Sequence, residues 1–198
     1  GGDVLGIAGC GMTTQLLHGD CREVLKALPD NSVHMCCTSP PYWGLRSYLP
    51  ADHPDKPKEI GSEPTLQEWV DTMVQVFREV RRVLRPDGTL WLNLGDAYAS
   101  GGRASYDTTS ANRGNGAAAG LSRPDCGLKA KDLMGQPWRL AFALQDAGWW
   151  LRQEIIWAKP NPMPESVRDR CTKAHEYIFL LSKSERYFWN FDASQEPV

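Results

Sequence analysis

The sequence predicts an α/β fold: a mostly parallel sheet with helices on both faces and a late antiparallel hairpin. Three observations carry this expectation. Short apolar runs of strand length alternate along the chain with segments of helical period, as crossover connections between parallel strands require. The segment Leu66 to Leu84 is strongly amphipathic, with Leu66, Trp69, Val70, Met73, Phe77, Val80 and Leu84 on one face, so it packs against something apolar. The 198 residues, 41% of them hydrophobic, suit one domain with a real core.

The elements follow in order. Thr14 to His18 reads as a short strand and Arg22 to Leu28 as a helix, stopped by Pro29-Asp30-Asn31. Val33 to Thr38 is a buried strand running directly into Ser39-Pro40-Pro41-Tyr42. The amphipathic helix starts with capping-box spacing at Thr65 and Glu68 and ends in the turn Arg85-Pro86-Asp87-Gly88. Thr89 to Leu94 is a strand, followed by Gly95-Asp96. Residues 100–130, rich in Gly, Ser, Ala and Asn at their start, read as a mobile loop. Leu133 to Ala147 is a helix stopped by Gly148. Trp149 to Trp157 and Tyr177 to Leu181 are strands, and Arg186 to Asn190 pairs with the latter as the hairpin. Residues 1–11 are a leader of unclear role, and 12–198 form the body of the domain.

Composition narrows the function. No apolar run is long enough to span a bilayer and no secretory leader opens the chain, so a cytoplasmic protein is expected. The six cysteines include no C-x-x-C pair, so no metal site is expected and free thiols are the default. A net charge of −2 does not announce a nucleic-acid binder, although local Lys and Arg decide that question.

In parallel sheets, ligands sit at the C-terminal ends of strands, which is where Ser39 falls. Its neighbours suit one kind of chemistry. An exocyclic amine on an aromatic base is a poor nucleophile, because its lone pair is delocalised into the ring. Two acceptors holding its hydrogens favour a pyramidal nitrogen and stabilise the charge that develops there during alkylation. The Ser39 hydroxyl is one such acceptor, and the Pro40 carbonyl is the other. Consecutive prolines, Pro40 and Pro41, fix φ and remove backbone donors, so the turn is stiff. Tyr42 offers a ring on which an extruded base can stack.

Thr38-Ser39-Pro40-Pro41-Tyr42 resembles the catalytic motif of the S-adenosylmethionine-dependent DNA amino-methyltransferases, whose pattern is Asp, Asn or Ser, then Pro-Pro, then an aromatic residue. Leu17-His18-Gly19-Asp20-Cys21 and Leu28-Pro29-Asp30-Asn31-Ser32-Val33 resemble the stretch preceding that motif in the beta group. Arg82-Val83-Leu84-Arg85-Pro86-Asp87-Gly88-Thr89, Asn93-Leu94-Gly95-Asp96 and His175 to Ser184 resemble later segments of it. The resemblance implies a Rossmann-like methyltransferase fold, S-adenosylmethionine as cofactor, and double-stranded DNA with a flipped target base as partner. It implies that Ser39, Pro40, Pro41 and Tyr42 are the catalytic residues. Asp20 and Ser39 would touch the cofactor, with a helix N-cap as the other reading of Asp20. Arg46, Arg170 and Lys173 would touch DNA, since they flank the motif segments. Asp96 reads better as a turn residue, and Arg78, Arg81, Arg82 and Arg85 read better as a solvated helix face.

The family's glycine-rich cofactor loop is expected after the region this sequence covers. Asp3 to Gly11 resembles that loop faintly, but only Met12 and Thr13 separate Gly11 from the next strand, leaving no room for the helix that should follow. Ser in the first motif position favours the N4 amine of cytosine, with N6 of adenine as the alternative. Cytosine C5 chemistry needs a cysteine nucleophile, usually after proline, and no Pro-Cys dipeptide occurs. A non-catalytic DNA-binding fragment is the other class left open.

Overall fold

The computed structural model of the chain describes residues 4–9, 12–99, 127–162 and 164–195. Most of the loop expected at 100–130 lies outside these residues. Two short strands open the chain, β1 (Val4–Gly9) and β2 (Met12–Leu17), paired antiparallel from Val4 with Leu17 to Gly9 with Met12. The leader thus contains a strand, and this two-stranded ribbon is separate from the main sheet. Helix α1 (Cys21–Val24) continues as a 3-10 turn, Leu25–Ala27.

Among the described residues the main sheet has four strands in the order β3 (Val33–Thr38), β4 (Leu84–Leu94), β6 (His175–Ser182) and β5 (Trp150–Ala158). β3 pairs parallel with β4, and β6 pairs antiparallel with both β4 and β5. β3, β4 and β5 therefore run in one direction and β6 alone is reversed. The antiparallel element is not an edge hairpin: β6 lies between β4 and β5. Arg186 to Asn190 is not a strand. Those residues cross the sheet, with Phe188 N–H donating to the Asp87 carbonyl at 3.0 Å and Trp189 stacked on Trp91 at 6.2 Å between ring centroids. The Trp91 contact is what the hairpin expectation missed, because an aromatic-rich run looks alike whether it joins a ladder or covers one.

The turn expected at Arg85 to Gly88 is a bulge within β4. Val33 pairs with Leu84 and Met35 with Thr89, so His34 alone faces Arg85 to Gly88. Gly88 is required there: a Cβ on it would stand 3.0 Å from both the Arg85 and the His34 carbonyl oxygens.

Helix α2 (Leu66–Val83) begins where capping predicts, with Thr65 Oγ1 accepting from Glu68 N–H at 3.1 Å. Its buried stripe, with that of α3 (Gln136–Asp146), closes over Leu90, Leu92, Leu94, Phe179 and Leu181. Both helices pack on the same face of the described sheet. Trp138 of α3 meets Tyr177 and Phe179 edge-on at 5.7 and 5.0 Å. The opposite face is covered at Trp91 but leaves Met35 and Trp157 more than half exposed. No helix among the described residues is long and apolar enough to cross a membrane.

Candidate active site

β3 delivers the Ser-Pro-Pro-Tyr turn to the C-terminal edge of the sheet. Ser39 follows directly after its last residue, Thr38, and is exposed. The turn is fixed from behind by buried groups. Trp69, fully buried on α2, donates its indole N–H to the Pro41 carbonyl at 3.0 Å. Trp43, equally buried, donates its backbone N–H to Gln136 Oε1 at 3.1 Å and its indole N–H to the Glu63 carbonyl at 2.8 Å. Among the described residues nothing donates to the Pro40 carbonyl, which leaves it available to a ligand.

Hydrogen-bond polarity sets the character of Ser39. Asn93 on β4 lies 3.2 Å from the Tyr177 carbonyl, which only accepts, so its amide nitrogen is on that side. Its Oδ1 is therefore the acceptor facing the Tyr42 hydroxyl at 3.3 Å. Tyr42 spends its proton on Asn93 and receives the proton of Ser39, 3.1 Å away. The outward lone pairs of Ser39 Oγ are left as acceptors. The chain Ser39 to Tyr42 to Asn93 to the Tyr177 carbonyl thus leaves Ser39 Oγ an acceptor, in the same turn as the unpaired Pro40 carbonyl.

Burial pushes the Tyr42 phenol above its ordinary value; the Ser39 bond opposes this and the nearby Glu176 carboxylate adds to it. Tyr42 is therefore a neutral phenol across the physiological range, and the polarity argument holds there. Its ring lies against Gly95, where a Cβ would stand 3.0 Å from Tyr42 Cε2 and 3.3 Å from Glu176 Oε1. Glu176 pairs with Lys159, which follows β5. Sequence patterning does not single out Asn93, Glu176, Lys159 or Trp69 for these parts. Asn93 carries a signal all the same, as the polar residue interrupting the apolar run from Leu90 to Leu94.

The other candidates are placed as follows. Asp20 is the N-cap of α1: it accepts from Arg22 N–H at 2.9 Å and pairs with the Arg22 guanidinium at 2.6 Å, which holds its carboxyl below the usual range. Arg46 is exposed on the loop that follows Tyr42. Arg170 is engaged within the fold, paired with Glu165 at 2.5 Å and lying 3.8 Å over the Tyr98 ring. The Lys173 ammonium is buried with no hydrogen-bond partner among the described residues; burial pushes its pKa down, while Asp96, Glu176 and Glu165 pull it up. Asp96 is a turn and cap residue, accepting from the N–H groups of Ala97, Gly135 and Gln136 at 2.9–3.1 Å.

Ser39 lies on an open edge of the sheet. Neither the cavity of about 290 Å³ lined by Asp30, Arg81, Trp149 and Lys183 nor that of about 330 Å³ beside Leu66 and Arg139 includes it. In the first cavity the cations hold main-chain carbonyls: Arg82 binds those of Leu25 and Leu28, Arg81 that of Lys183, and Lys183 that of Leu84. They serve the fold rather than a bare solvated face. No cluster of His, Cys, Asp or Glu among the described residues has the makings of a metal site.

Comparison with known proteins bears on the family and the fold. Residues 33–198 match the DNA methylase family of N6 and N4 methyltransferases. The chain is 49% identical over 184 residues to the Type II methyltransferase M.SmaI of Serratia marcescens, covering 93% of this chain and 61% of that protein. It is 51% identical over 185 residues to M.XycI of Xanthomonas campestris pv. cyanopsidis, covering 92% and 59%. The chain thus spans about three fifths of the length of these curated relatives. Its fold is shared with the PvuII DNA methyltransferase (cytosine-N4-specific), at a TM-score of 0.59 and 20% identity over 87% of this chain and 50% of that one. It is also shared with a DNA modification methylase of Thermus thermophilus complexed with S-adenosyl-L-methionine, at 0.55 and 24% over 88% and 55%. The Rossmann-like methyltransferase class expected from the sequence is the fold observed.

Proposed function

We propose that this chain, which belongs to the DNA methylase family, forms the amine-activating edge of a Type II enzyme methylating the exocyclic N4 of cytosine in DNA. The observation that carries this is the acceptor pair at the end of β3. Ser39 Oγ is turned into an acceptor by the Tyr42–Asn93 chain, and the Pro40 carbonyl beside it is free. A pair of fixed acceptors fits an amino group with two hydrogens, and it stabilises the positive charge that grows on nitrogen only as the new bond forms.

S-adenosylmethionine would supply the methyl group as an activated sulfonium. The chain's own residues act on the other reactant. Ser39 and Pro40 hold the amine, Pro41 keeps the turn stiff through its bond from Trp69, and Tyr42 stacks on the extruded base. The exposed Asp20 carboxylate, with Ser39, is the group proposed to contact the cofactor. The glycine-rich start of the chain is not proposed as its cradle: Val4–Gly9 turns back antiparallel on Met12–Leu17 and lacks the strand–loop–helix that brings backbone amides to a ligand. Arg46 is a proposed DNA contact, and Lys173 is proposed with it on condition that its buried ammonium is uncovered when DNA binds. Arg170 is proposed with them on condition that DNA displaces Glu165. Cytosine is favoured over adenine by Ser in the first motif position. A place in the bacterial cytoplasm, where DNA is modified, goes with this reading.

Single-turnover methylation with tritiated cofactor, run on the whole protein carrying this chain, tests the proposal. Ser39→Ala should lower the methylation rate more than DNA affinity. Tyr42→Ala should also weaken binding to DNA with a mismatched target base, by about 1–3 kcal/mol if stacking resembles that of single-strand binders. The labelled nucleoside should be N4-methylcytosine. A wild-type rate for Ser39→Ala defeats the two-acceptor mechanism, whereas N6-methyladenine as product defeats only the choice of base.

A further inference from the structure

Between Gly44 and Gly61 the chain leaves the Ser-Pro-Pro-Tyr turn and returns to it. Its ends are clamped together. Gly44 N–H donates to the Gly61 carbonyl at 2.9 Å, and a Cβ on Gly61 would stand 3.1 Å from the Tyr42 carbonyl oxygen. Its middle is held by one carboxylate. Glu59, whose side chain is only 5% exposed, accepts from the backbone N–H groups of Tyr48 and Leu49 through Oε1. Through Oε2 it accepts from Ser47 and from the Lys56 ammonium, and Lys56 donates again to the Leu49 carbonyl at 3.0 Å. Burying an ion pair costs desolvation and is recovered only in good geometry, so these bonds select one conformation of a segment that would otherwise be mobile.

What this scaffold holds out does nothing for the fold. Tyr48 is 63% exposed although its own backbone N–H is one of the anchored groups, and Leu45 is 45% exposed. Arg46, between them, is exposed and has no partner among the described residues. An aromatic ring and an uncommitted guanidinium are therefore presented rigidly a few residues from the base-stacking Tyr42.

Taking the DNA-methylation reading as its basis, we propose that Tyr48 is the wedge that enters the base stack where the target nucleotide leaves it, with Arg46 on the adjoining phosphate. Extruding a base breaks its pair and its stacking. A ring inserted into the gap replaces part of the lost stacking, as wedge residues do when they open base steps. Pre-ordering the loop means that little conformational entropy is lost when the ring goes in. The guanidinium fixes register on the backbone without reading sequence.

The test uses the whole protein and two duplexes, one with the target cytosine correctly paired and one with it opposite an abasic site, where extrusion costs less. Single-turnover methylation is measured for wild type, Tyr48→Ala and Tyr48→Phe. The expected result is a loss of about tenfold for Tyr48→Ala on the paired duplex, little loss on the abasic one, and near wild-type rates for Tyr48→Phe, which keeps the ring. Equal losses on both duplexes, or none on the paired one, overturn the wedge and leave the methylation reading intact. A wild-type protein inactive on both duplexes overturns that reading and the wedge with it.

Discussion

Replacing Asn93 by leucine tests the polarity argument at its root. Leucine is close in size and neither donates nor accepts. The Tyr42 hydroxyl, now 3.3 Å from an apolar group, is free to turn its proton onto Ser39, 3.1 Å away. Ser39 then spends a lone pair inside the protein and points its own proton at the amine hydrogens. Restoring the productive orientation leaves the half-buried phenol without an acceptor, at about 1–2 kcal/mol, which corresponds to roughly five- to thirtyfold in rate. That is smaller than the roughly hundredfold or greater loss typical when a preorganised polar partner is removed outright, because Ser39 itself is still present. The assay is single-turnover methylation at saturating DNA and cofactor, with thermal unfolding as a check on folding. Tyr42→Phe removes the same relay one atom earlier. If the relay is real, adding Asn93→Leu to Tyr42→Phe costs nothing further, and the two single losses fail to add. Additive losses, or a wild-type rate for Asn93→Leu, would refute the reasoning.

Three further outcomes are expected. Gly95→Ala places a methyl group 3.0 Å from the Tyr42 ring; Tyr42 must shift, so the methylation rate falls while the unfolding midpoint moves little. The Glu59 carboxyl is raised by its burial but held lower, to about 2, by Lys56 and the Tyr48 and Leu49 N–H groups, against 4.5 when free. A depressed carboxyl contributes stability in full above its unfolded pKa and loses it as pH falls through the folded one. Denaturant titrations between pH 5 and pH 2 should therefore show a loss of roughly 2–3 kcal/mol that is absent in Glu59→Gln. Deleting residues 1–11 from the whole protein should leave cofactor affinity, measured by calorimetry, nearly unchanged; a large drop would mean that β1 belongs to the cofactor site.

Much of this was legible in the sequence, for identifiable reasons. β3 and α2 are local: a short apolar run closed by Pro-Pro, and a seven-residue stripe behind a Thr65 cap, leave little choice of boundary. Ser39 was placed for the same reason, since a strand that ends in two prolines must release its next side chains at the sheet edge. What was not legible depends on partners far along the chain. The 3-10 continuation of α1 is held by Arg82, more than fifty residues away, which bonds the Leu25 and Leu28 carbonyls. Asp20 could not be assigned from spacing because a cap and a ligand contact ask for the same carboxylate after the same glycine. The polarity of Ser39 is decided at the Tyr177 carbonyl, far along the chain, and no local pattern announces it.

The place of β6 has a consequence for the order in which the protein can assemble. β4 and β5 are not neighbours; the strand between them comes last of the three, its ladder to β4 running from Thr89 with Ser182 to Leu94 with Tyr177. During synthesis β3, β4 and α2 can meet as soon as they emerge, but one long side of β4 stays unpaired until Ser182 has been made. β5 cannot dock early, because its only partner among the described strands is β6. The two must first form an antiparallel pair and then close onto β4 together, across a loop whose entropy grows only slowly with its length. Until that step the nascent chain carries an apolar strand edge from Leu90 to Leu94, open to any other strand in reach.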